Sequence, residues 1–599
     1  MNFEEYKRNV SEIEIDDYAA LLNIGRKWKK IEAPTVKNIK VALLGSASIQ
    51  LVTSVTKALL TKYDLYADVY EGEYNGILME AMDANSKLYE FAPEYIIILP
   101  DYHDIVDQCP TILSDRVAVL EVVEKTKNVY AKMLEMIHSK LPGSQIIISN
   151  FVSPFWGNLG NLEANYIFSQ KNFFQLLNLS LTENKPSYVS ILDMDGLASF
   201  IGKKQWFDES AYFLNKSGFA LPYIGYVCDL IARQFQAFVG KPNKCLVLDL
   251  DNTIWGGIVG DVGYDGIMLD PNDAEGEAYQ AFQKYVLALK HRGIILAVCS
   301  KNDAENAKEP FEKNSNMILK LGDISSFVAN WNDKASNIKL ISEELNIGLD
   351  SFVFFDDNPT ERALVKQFLP EITVIDVPED PALYVRALDQ AYAFEWNQIT
   401  QEDISRSDSY AQNIERTTLM ESCVDYNDYL KKLNMHIQVA AVEEKTLPRF
   451  SQLTNKSNQF NVRTQRYSEA EIDEMAKNKN YELLTVSLCD KFTNYGIIAC
   501  VVLRFEDQVC YIDNWVMSCR VLKKTIENYT AEKIVSEAIK QNVKCIKAEY
   551  LRTKKNGMVA NLFETLSFEK VDGDDNCSHY VLNSEKMHNY KQTYYVEEN

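Results

Sequence analysis

Short β-rich runs, several of them almost entirely apolar, recur along the first two thirds of the chain and alternate with stretches of helical periodicity. Strands that are apolar at every position, rather than at every second one, belong to parallel sheets whose two faces are both covered by helices. The pattern therefore predicts α/β domains. The runs are KVALLG (40–45), DLYADVY (64–70), EYIIILP (94–100), QIIISNF (145–151), YVSILDM (188–194), CLVLDLD (245–251), IILAVCS (294–300), FVFFDD (352–357) and ITVIDVP (372–378).

The alternation restarts near residue 240 and ends near residue 385, so it predicts a boundary at each point. After a polar helical stretch, the strands LLTVSLC, GIIACVVLRF and QVCYIDNWVM precede a helix expected at 523–539. The fold class is therefore α/β multidomain with an α+β domain at the end. The predicted parts are 1–240 (α/β), 241–385 (α/β), 386–435 (helical linker) and 436–599 (α+β).

Composition narrows the class of partner. Lysine and arginine number 62 against 85 aspartates and glutamates, a formal charge of −23, which disfavours nucleic acid and anionic membranes as ligands. Small molecules and proteins are the expected partners. The 11 cysteines include no C-x-x-C pair, which argues against a disulfide framework and a structural zinc site. With no signal-like or membrane-length apolar segment, we expect a cytoplasmic protein.

Polar residues in a fixed order follow three of the apolar runs. The carboxyl ends of parallel strands face the crevice where α/β sheets bind ligands. A structural loop would account for the first pair of aspartates alone, but not for the whole ordered set. The set comprises Asp249, Asp251 and Thr253 after CLVL, Ser300 after IILAVC, Lys334 at the start of KASNIKLISEEL, and Asp356 and Asp357 after FVFF.

This ordered set resembles the haloacid dehalogenase (HAD) superfamily of phosphotransferases, and the resemblance implies a capless Rossmann-like domain. It implies that Asp249 attacks phosphorus and forms an aspartyl-phosphate, while Asp251 acts as general acid and base. Clustered carboxylates beside a phosphate call for a hard cation, so Mg²⁺ is the implied cofactor. The implied metal ligands are Asp249, the Asp251 carbonyl and Asp357, supported by Asp356, and the implied phosphate-binding residues are Thr253, Ser300 and Lys334.

Longer motifs narrow the resemblance to the FkbH-like branch of that superfamily. It implies an enzyme that removes phosphate from 1,3-bisphosphoglycerate, a phosphorylated three-carbon metabolite, and loads the glyceryl unit onto the phosphopantetheine thiol of an acyl carrier protein. Cys299 and Cys519 lie inside these motifs and are candidate acyl carriers, although each could equally be an inert buried cysteine. The motifs are LDLDNTIWGGIVGD (248–261), GEAYQAFQKYVLALKHRGIILAVCSKND (276–303), FVFFDDNPTER (352–362), NQFNVRTQRYSEAE (458–471), IDNWVMSCRV (512–521) and YLRTKKN (550–556).

The first domain resembles SGNH hydrolases, flavodoxin-type α/β proteins in which a serine after the first strand is activated by a histidine. Ser46 occupies the serine position, but Ala211 stands where the D-x-x-H motif has its histidine. His103, at the end of another strand, would need an unusual geometry to replace it. We therefore expect a degenerate hydrolase fold that docks a partner or gathers substrate.

The last domain resembles GNAT acyltransferases, in which R-x-x-G-x-G opens a helix and cradles the pyrophosphate of CoA. Here the motif begins at Arg520, and Lys523 and Thr525 replace both glycines, which makes acetyl-CoA a poor fit. The basic pair Lys523-Lys524 and the basic run at 552–555 are candidate docking surfaces for an acidic carrier protein.

Two other functions stay open at this point. The chain could be a plain HAD phosphatase acting on a small phosphorylated metabolite, or a scaffold of a biosynthetic assembly that has lost its activity. The complete central set argues against the scaffold. The short stretch between Asp251 and Ser300 leaves little room for a cap domain, so a carrier-bound substrate is sterically plausible.

Overall fold

A computed structural model of the chain describes residues 2–28, 31, 36–183, 185–239, 242–404, 419–420, 423–553, 555–574 and 576–598. It forms two compact units, Met1–Gly240 with Tyr467–Glu474, and Lys241–Arg466 with Met475–Asn599. The predicted linker at 386–435 and the basic run at 552–555 fall partly outside the described residues, at 405–418, 421–422 and 554. Each helix within the described ranges is too short or too polar to cross a bilayer.

The first unit contains a five-stranded parallel sheet in the order β2-β1-β3-β4-β5. All five strands fall on runs that the sequence predicts. The strands are β1 (Lys37–Gly45), β2 (Leu65–Glu71), β3 (Tyr95–Leu99), β4 (Gln145–Ser149) and β5 (Val189–Leu192). The helices are Phe3–Ser11, Tyr18–Arg26, Gln50–Leu60, Ile77–Met82, Lys87–Phe91, Arg116–Lys140, Gln170–Thr182, Met194–Ile201, Lys203–Trp206, Glu209–Asn215 and Ile224–Val239.

Strand β3 shows why these runs are apolar at every position. Ile97 joins the core on one face of the sheet, together with helices Gln50–Leu60 and Ile224–Val239. Ile96 and Ile98 join a separate core on the other face, under helices Arg116–Lys140 and Gln170–Thr182. Because side chains alternate between faces and both faces are covered, all three central residues of the strand are buried.

The second unit contains two sheets, of which the first is parallel and has the order β10-β9-β6-β7-β8. Strand β8 was not predicted, because SFVA is short and only alternate residues are buried. The strands are β6 (Cys245–Leu248), β7 (Ile295–Ser300), β8 (Ser326–Ala329), β9 (Phe352–Phe355) and β10 (Thr373–Val374). The associated helices are Val259–Gly266, Ala274–His291, Ala304–Lys313, Lys334–Leu345, Pro359–Phe368, Tyr384–Gln390 and Gln401–Ile404.

The second sheet of this unit is mixed and runs in the order β17-β18-β16-β15-β14-β13-β11-β19, with β12 beside β15. Most neighbours are antiparallel, as the α+β prediction requires. The strands are β11 (Met435–Ala441), β12 (Phe460–Asn461), β13 (Tyr481–Cys489), β14 (Asn494–Glu506), β15 (Val509–Met517), β16 (Cys545–Leu551), β17 (Glu569–Gly573), β18 (Cys577–Asn583) and β19 (Val596–Glu598). The helices are Tyr426–Lys432, Leu447–Lys456, Ile526–Lys540, Leu562–Thr565 and Ser584–Met587. Helix Glu469–Lys477 belongs to the first unit up to Glu474 and to the second from Met475.

The parallel strands β15 and β16 diverge along their length. They pair over Val509–Ile512 and Cys545–Ala548 only. Farther along, β12 pairs with the end of β15, and the Leu551 amide donates to the Val462 carbonyl at 2.9 Å. The chain's own segment 460–462 therefore fills the gap between these two strands.

Candidate active site

Three strand ends converge at the carboxyl edge of the β6 sheet. Asp249 follows the central strand β6, Asp356 follows β9, and Ser300 is the last residue of β7. Leu248 of β6 is in register with Phe355 on one side and Val298 on the other, so the polar residues that come next lie at the same edge.

Three carboxylates gather at this edge. Oxygens of Asp249, Asp356 and Asp357 all lie within 4.8 Å of one another, and the first two side chains are buried. The buried ammonium of Lys334, the first residue of its helix, lies 2.9 Å from Asp249 Oδ1 and also pairs with Asp356 Oδ2. One cation thus faces three potential anions.

The excess of acidic groups shifts the pKa values of the residues in this cluster. Burial, followed by the charge of Asp249, raises the pKa of both Asp356 and Asp357, while Lys334 acts in the opposite direction. Burial would lower the pKa of Lys334, but the charges of Asp249 and Asp356 outweigh it and raise that pKa. The cluster therefore favours an additional positive charge.

The donor set fits a hard divalent cation such as Mg²⁺. Such ions prefer carboxylate oxygens, which the cluster supplies from two strand ends. Asp249 Oδ1 is buried, and apart from its ion pair with Lys334 it receives no hydrogen bond from the described part of the chain. Asp249, Asp356 and Asp357 are accordingly the side chains that would hold the ion. The predicted contribution of the Asp251 carbonyl stays a prediction.

Asp251 points to a different set of partners. Its Oδ1 accepts from Trp255 Nε1 at 2.9 Å and from the Val259 amide at 3.0 Å, and its Oδ2 accepts from Asn302 Nδ2 at 3.0 Å. Burial, with a further contribution from the charge of Asp249, nevertheless raises the pKa of Asp251, although the bonds from Val259 and Trp255 act in the opposite direction. A carboxyl that keeps its proton to higher pH is suited to a general acid.

Two residues support the loop after β9. The buried Thr253 hydroxyl accepts from the Asp357 amide at 3.2 Å and lies 3.4 Å from Asp357 Oδ1. Arg362 Nη1 donates to the carbonyls of Asp356 and Asp357 at 2.8 and 2.7 Å. Thr253 therefore positions a carboxylate of the cluster. The predicted contacts of Thr253 and Ser300 with phosphate stay predictions.

Asn302 and Arg362 also belong to this site, although neither was predicted from the sequence. Both lie within the predicted motifs, Asn302 two residues after Ser300 and Arg362 at the end of FVFFDDNPTER. The signal was a polar side chain close to a strand end, but amides and guanidinium groups are also common in ordinary loops.

Cys299 precedes Ser300 at the end of β7, but its side chain is shielded from solvent. Its side chain is fully buried in the core beneath the Lys334 helix, and its Sγ donates to the Lys334 carbonyl at 3.8 Å. Burial raises the pKa of its thiol, which disfavours the thiolate that nucleophilic attack requires.

Cys519 lies at a different place, in a cleft of about 330 Å³ within the second unit. The cleft contains Lys244 just before β6, Ile295 at the start of β7 and Ser351 just before β9, so it opens at the amino ends of these strands. Asp249 lies at the carboxyl end of β6, a strand about 13 Å long at about 3.3 Å per residue. The structure therefore does not bring Cys519 and Asp249 together.

The first unit pairs Ser46 with an acid. The Ser46 hydroxyl donates to Asp104 Oδ2, and His103 is held by Asp101, with Nδ1 2.5 Å from Oδ1. The ring of His103 also stacks on Tyr212 at 3.6 Å between centroids. This geometry lacks the serine–histidine contact of a hydrolase triad.

The loop before helix Ile526–Lys540 has positive φ angles of the kind that glycine usually adopts, although other residues occupy these positions. Lys523 and Thr525, at the two positions where the GNAT motif has glycine, have φ of 64° and 61°. Side chains are disfavoured in this left-handed region, most of all a β-branched one. Lys524 is buried, and its Nζ donates to the Tyr495 hydroxyl at 2.7 Å, so of the predicted basic pair only Lys523 is exposed.

Comparison with known proteins provides a family match and structural neighbours. Residues 40–233 match the model of the FkbH N-terminal domain. A crystal structure of the N-terminal part of BF1531 from Bacteroides fragilis, containing a phosphatase domain complexed with Mg, is 33% identical, with a TM-score of 0.56. The match covers 67% of this chain and 100% of that one. Among the curated proteins, none matches significantly.

Two acetyltransferases match smaller parts of the chain. The ribosomal-protein-S18-alanine N-acetyltransferase of Escherichia coli is 13% identical, with a TM-score of 0.20, and covers 26% of this chain and 96% of its own. A mutant of the spermidine N-acetyltransferase SpeG of Vibrio cholerae is 12% identical, with a TM-score of 0.21, and covers 25% of this chain and 95% of its own.

Proposed function

The chain belongs to the FkbH-like family and is an enzyme of the HAD phosphatase type, and we propose that it converts 1,3-bisphosphoglycerate into a carrier-bound glyceryl unit with release of both phosphates. The observation that carries the phosphoryl step is the buried cluster of Asp249, Asp356 and Asp357 around Lys334. Mg²⁺, which accompanies the phosphatase domain of BF1531, is the cofactor that suits these ligands.

The phosphoryl step uses two aspartates. An Asp249 oxygen attacks the phosphorus of the 3-phosphate, and the bond between that phosphorus and the C3 oxygen breaks. Asp251 gives its proton to the departing C3 oxygen, and as the resulting base it then takes a proton from the water that hydrolyses the aspartyl-phosphate. Lys334 and Ser300 hold the phosphoryl oxygens. A bound Mg²⁺ would offset the negative charge that develops during transfer.

We assign the acyl step to the second cleft. Cys519 is partly exposed there, whereas Cys299 is buried. The cleft has basic residues that suit a phosphorylated substrate and outnumber the two acidic ones, Asp350 and Glu371. The basic residues are Lys244, Arg449, Lys456, Arg520 and Lys555.

In this step the Cys519 thiolate attacks the C1 carbonyl carbon of the acyl phosphate. A carbon–sulfur bond forms, the bond from carbon to the phosphate oxygen breaks, and inorganic phosphate leaves, while the thiol proton passes to solvent. The carrier thiol then displaces Cys519 from the thioester. The two phosphates are thus removed at opposite edges of one sheet, and the substrate or the carrier arm moves between them.

The remaining assignments complete the proposal. The partner is an acyl carrier protein whose phosphopantetheine thiol accepts the glyceryl unit, and the setting is a cytoplasmic biosynthetic pathway. The first unit, as a degenerate SGNH-type domain, docks that partner or gathers substrate, since the Ser46 hydroxyl donates to Asp104 and forms no hydrogen bond with a histidine in the described part of the chain. Lys523 and Thr525, in place of the two glycines that would cradle a CoA pyrophosphate, favour a carrier thiol over CoA as the acceptor.

One observation favours a plain phosphatase as the second candidate. Neither cysteine is placed to act together with the carboxylate cluster: Cys299 is enclosed in the core, and Cys519 lies in a cleft at the other edge of the sheet. In that case Asp249 and Asp251 act on a small phosphorylated metabolite, and no thioester forms.

The test is intact-protein mass spectrometry after incubation with Mg²⁺ and enzymatically generated 1,3-bisphosphoglycerate. We expect a glyceryl adduct on the wild type and on Cys299→Ala, and none on Cys519→Ala. Asp249→Asn should carry an adduct that is heavier by one phosphoryl group, because the 3-phosphate stays in place. Chelation of Mg²⁺ should have the same effect as Asp249→Asn.

The two functions give different results in this experiment. Phosphate release by the wild type with no adduct on any variant would establish the plain phosphatase and remove the acyl step. An adduct that persists in Cys519→Ala and disappears in Cys299→Ala would move the acyl carrier to the buried position.

A further inference from the structure

A second group of metal-ligating side chains lies on the last sheet, away from the phosphate site. His579 on β18 is directly opposite Glu549 on β16, and Cys577 lies two residues before His579. Because side chains two residues apart share a face of the strand, all three lie on the same side of the sheet. His579 is exposed and the other two are partly buried, so solvent reaches the group.

The spacing of their donor atoms is that of a metal site. Cys577 Sγ lies 3.5 Å from His579 Nε2 and 3.8 Å from Glu549 Oε1, and His579 Nε2 lies 3.0 Å from Glu549 Oε1. Ligands at 2.0–2.3 Å from a tetrahedral zinc ion are about 3.3–3.6 Å apart. All three distances are within about 0.5 Å of that range, so small side-chain rotations suffice.

The outer contacts orient two of these ligands. His579 Nδ1 bonds with Asp572 Oδ1 on β17, which directs Nε2 toward the other two donors. A carboxylate on the far nitrogen is the usual partner of a zinc-binding histidine. Glu549 Oε2 lies 2.8 Å from Arg463 Nε, which leaves Oε1 to face the thiol and the imidazole.

We propose that Glu549, Cys577 and His579 bind one divalent ion of the zinc type, with a fourth position open to water. The mixed sulfur, nitrogen and oxygen donors select a borderline-soft ion over Mg²⁺, which prefers oxygen alone. Binding releases the thiol proton of Cys577 and the Nε2 proton that His579 donates to Glu549, both to solvent, and the ion takes their place between the three donors.

This site does not depend on the proposed phosphatase activity. It uses none of the residues of the carboxylate cluster, and its ligands differ from that cluster in kind. An active phosphatase without this second metal, or a metal-binding chain without phosphatase activity, would each be recognised by separate measurements.

Cobalt is the most direct probe. The full-length, chelator-treated protein is titrated with Co²⁺ in the presence of saturating Mg²⁺, which occupies the carboxylate cluster. We expect one equivalent to produce a thiolate-to-cobalt charge-transfer band and strong tetrahedral bands in the visible region. The charge-transfer band should be absent in Cys577→Ser, and Asp572→Asn should weaken binding about 10- to 100-fold.

Matched variants make the result specific. Cys545→Ser, at the other end of β16, should keep the cobalt spectrum, as should Asp249→Asn. A wild-type protein with no charge-transfer band, or a band that survives in Cys577→Ser, would overturn the proposal.

A second measurement covers the case in which Cys577→Ser fails to fold. The wild type is alkylated with iodoacetamide, with and without Zn²⁺, and the modified cysteines are identified by mass spectrometry. Zn²⁺ should slow alkylation of Cys577 at least tenfold and leave that of Cys545 unchanged. Equal rates for Cys577 in the two conditions would contradict zinc binding.

Discussion

Two D-x-D pairs follow strands of the two parallel sheets, and they serve different purposes. Asp193 and Asp195 come after β5 in the first unit. Asp193 caps the helix Met194–Ile201, accepting from the Gly196 amide at 3.0 Å and from Asn150 Nδ2 at 2.7 Å. Asp195 Oδ1 accepts from Lys203 Nζ at 2.7 Å. Each carboxylate is satisfied by its own surroundings.

The pair after β6 is arranged differently. Asp249 shares the buried Lys334 with Asp356, and its Oδ1 has no hydrogen bond from the described residues beyond that ion pair. Burial raises the pKa of Asp251 despite three donors. The acidic groups of this pair are poised for a cation and a phosphate rather than for local structure.

The position of the strand accounts for the difference. Strand β5 is at the edge of its sheet and has a single neighbour, β4. Strand β6 is central, so the ends of β9 and β7 lie on both sides of it. The same D-x-D pattern therefore meets two further polar strand ends in one sheet and only one in the other. A strand-end motif forms a reactive site where the ends of neighbouring strands supply further polar groups.

The largest expected effect is the difference in phosphate release between a variant of Asp249 and the matching variant of Asp193. Asp249→Asn should lower the rate of Mg²⁺-dependent phosphate release by at least about 10⁴-fold, because the attacking oxygen is lost. Asp193→Asn should leave the rate within about twofold, because that side chain caps a helix. Phosphate assays on both purified variants, with circular dichroism to verify folding, make the comparison.

Retention of activity in Asp249→Asn would remove the central assignment. A large loss in both variants would show that the assay reports folding rather than chemistry.

The next largest effect concerns the two lysines that form ion pairs with these aspartates, Lys334 and Lys203. Lys334→Met leaves three acidic groups without their cation, and breaking such a buried pair costs about 3–5 kcal/mol of unfolding free energy. Lys203→Met removes a partly exposed partner of Asp195 and should cost only about 1 kcal/mol. Urea denaturation of the full chain, with and without Mg²⁺, measures both.

Mg²⁺ sharpens this comparison further. It should restore part of the lost stability in Lys334→Met, since the ion replaces the missing positive charge, and should restore none in Lys203→Met. Equal destabilisation of the two variants, or equal rescue, would mean that the two lysines play the same structural role.

Much of the fold could be predicted because burial on both faces makes a strand apolar at every position. That signal located all five strands of the first sheet and the strands β6, β7, β9 and β10 of the second. It missed β8, whose four residues are alternately buried, and β11, whose partner strand is remote in sequence. Pairings set by distant contacts leave little local pattern.

The candidate site residues also differ in how far they could be predicted from the sequence. The aspartates and Lys334 were predicted because each lies directly after an apolar run or at the start of a helical pattern, in the order that the HAD resemblance implies. The zinc-type site was not predicted from the sequence. Glu549 becomes a neighbour of Cys577 and His579 only through strand pairing, and the sequence has no C-x-x-C spacing that would indicate a metal site. The order of the motifs along the chain also does not predict that Cys519 lies at the opposite edge of the sheet from Asp249.

The smallest effect contrasts two asparagines that donate to the two pairs. Asn302 Nδ2 bonds to Asp251 and thereby stabilises its charged form, so Asn302→Ala should raise the pKa of Asp251 further. As Asp251 must be protonated to serve the leaving oxygen, the high-pH limb of kcat/KM should move to higher pH, with kcat/KM at neutral pH changing by no more than about tenfold. Asn150→Ala removes the equivalent bond to Asp193 and should leave the profile unchanged. A limb that moves to lower pH, or that moves equally in both variants, would show that Asp251 is not the general acid.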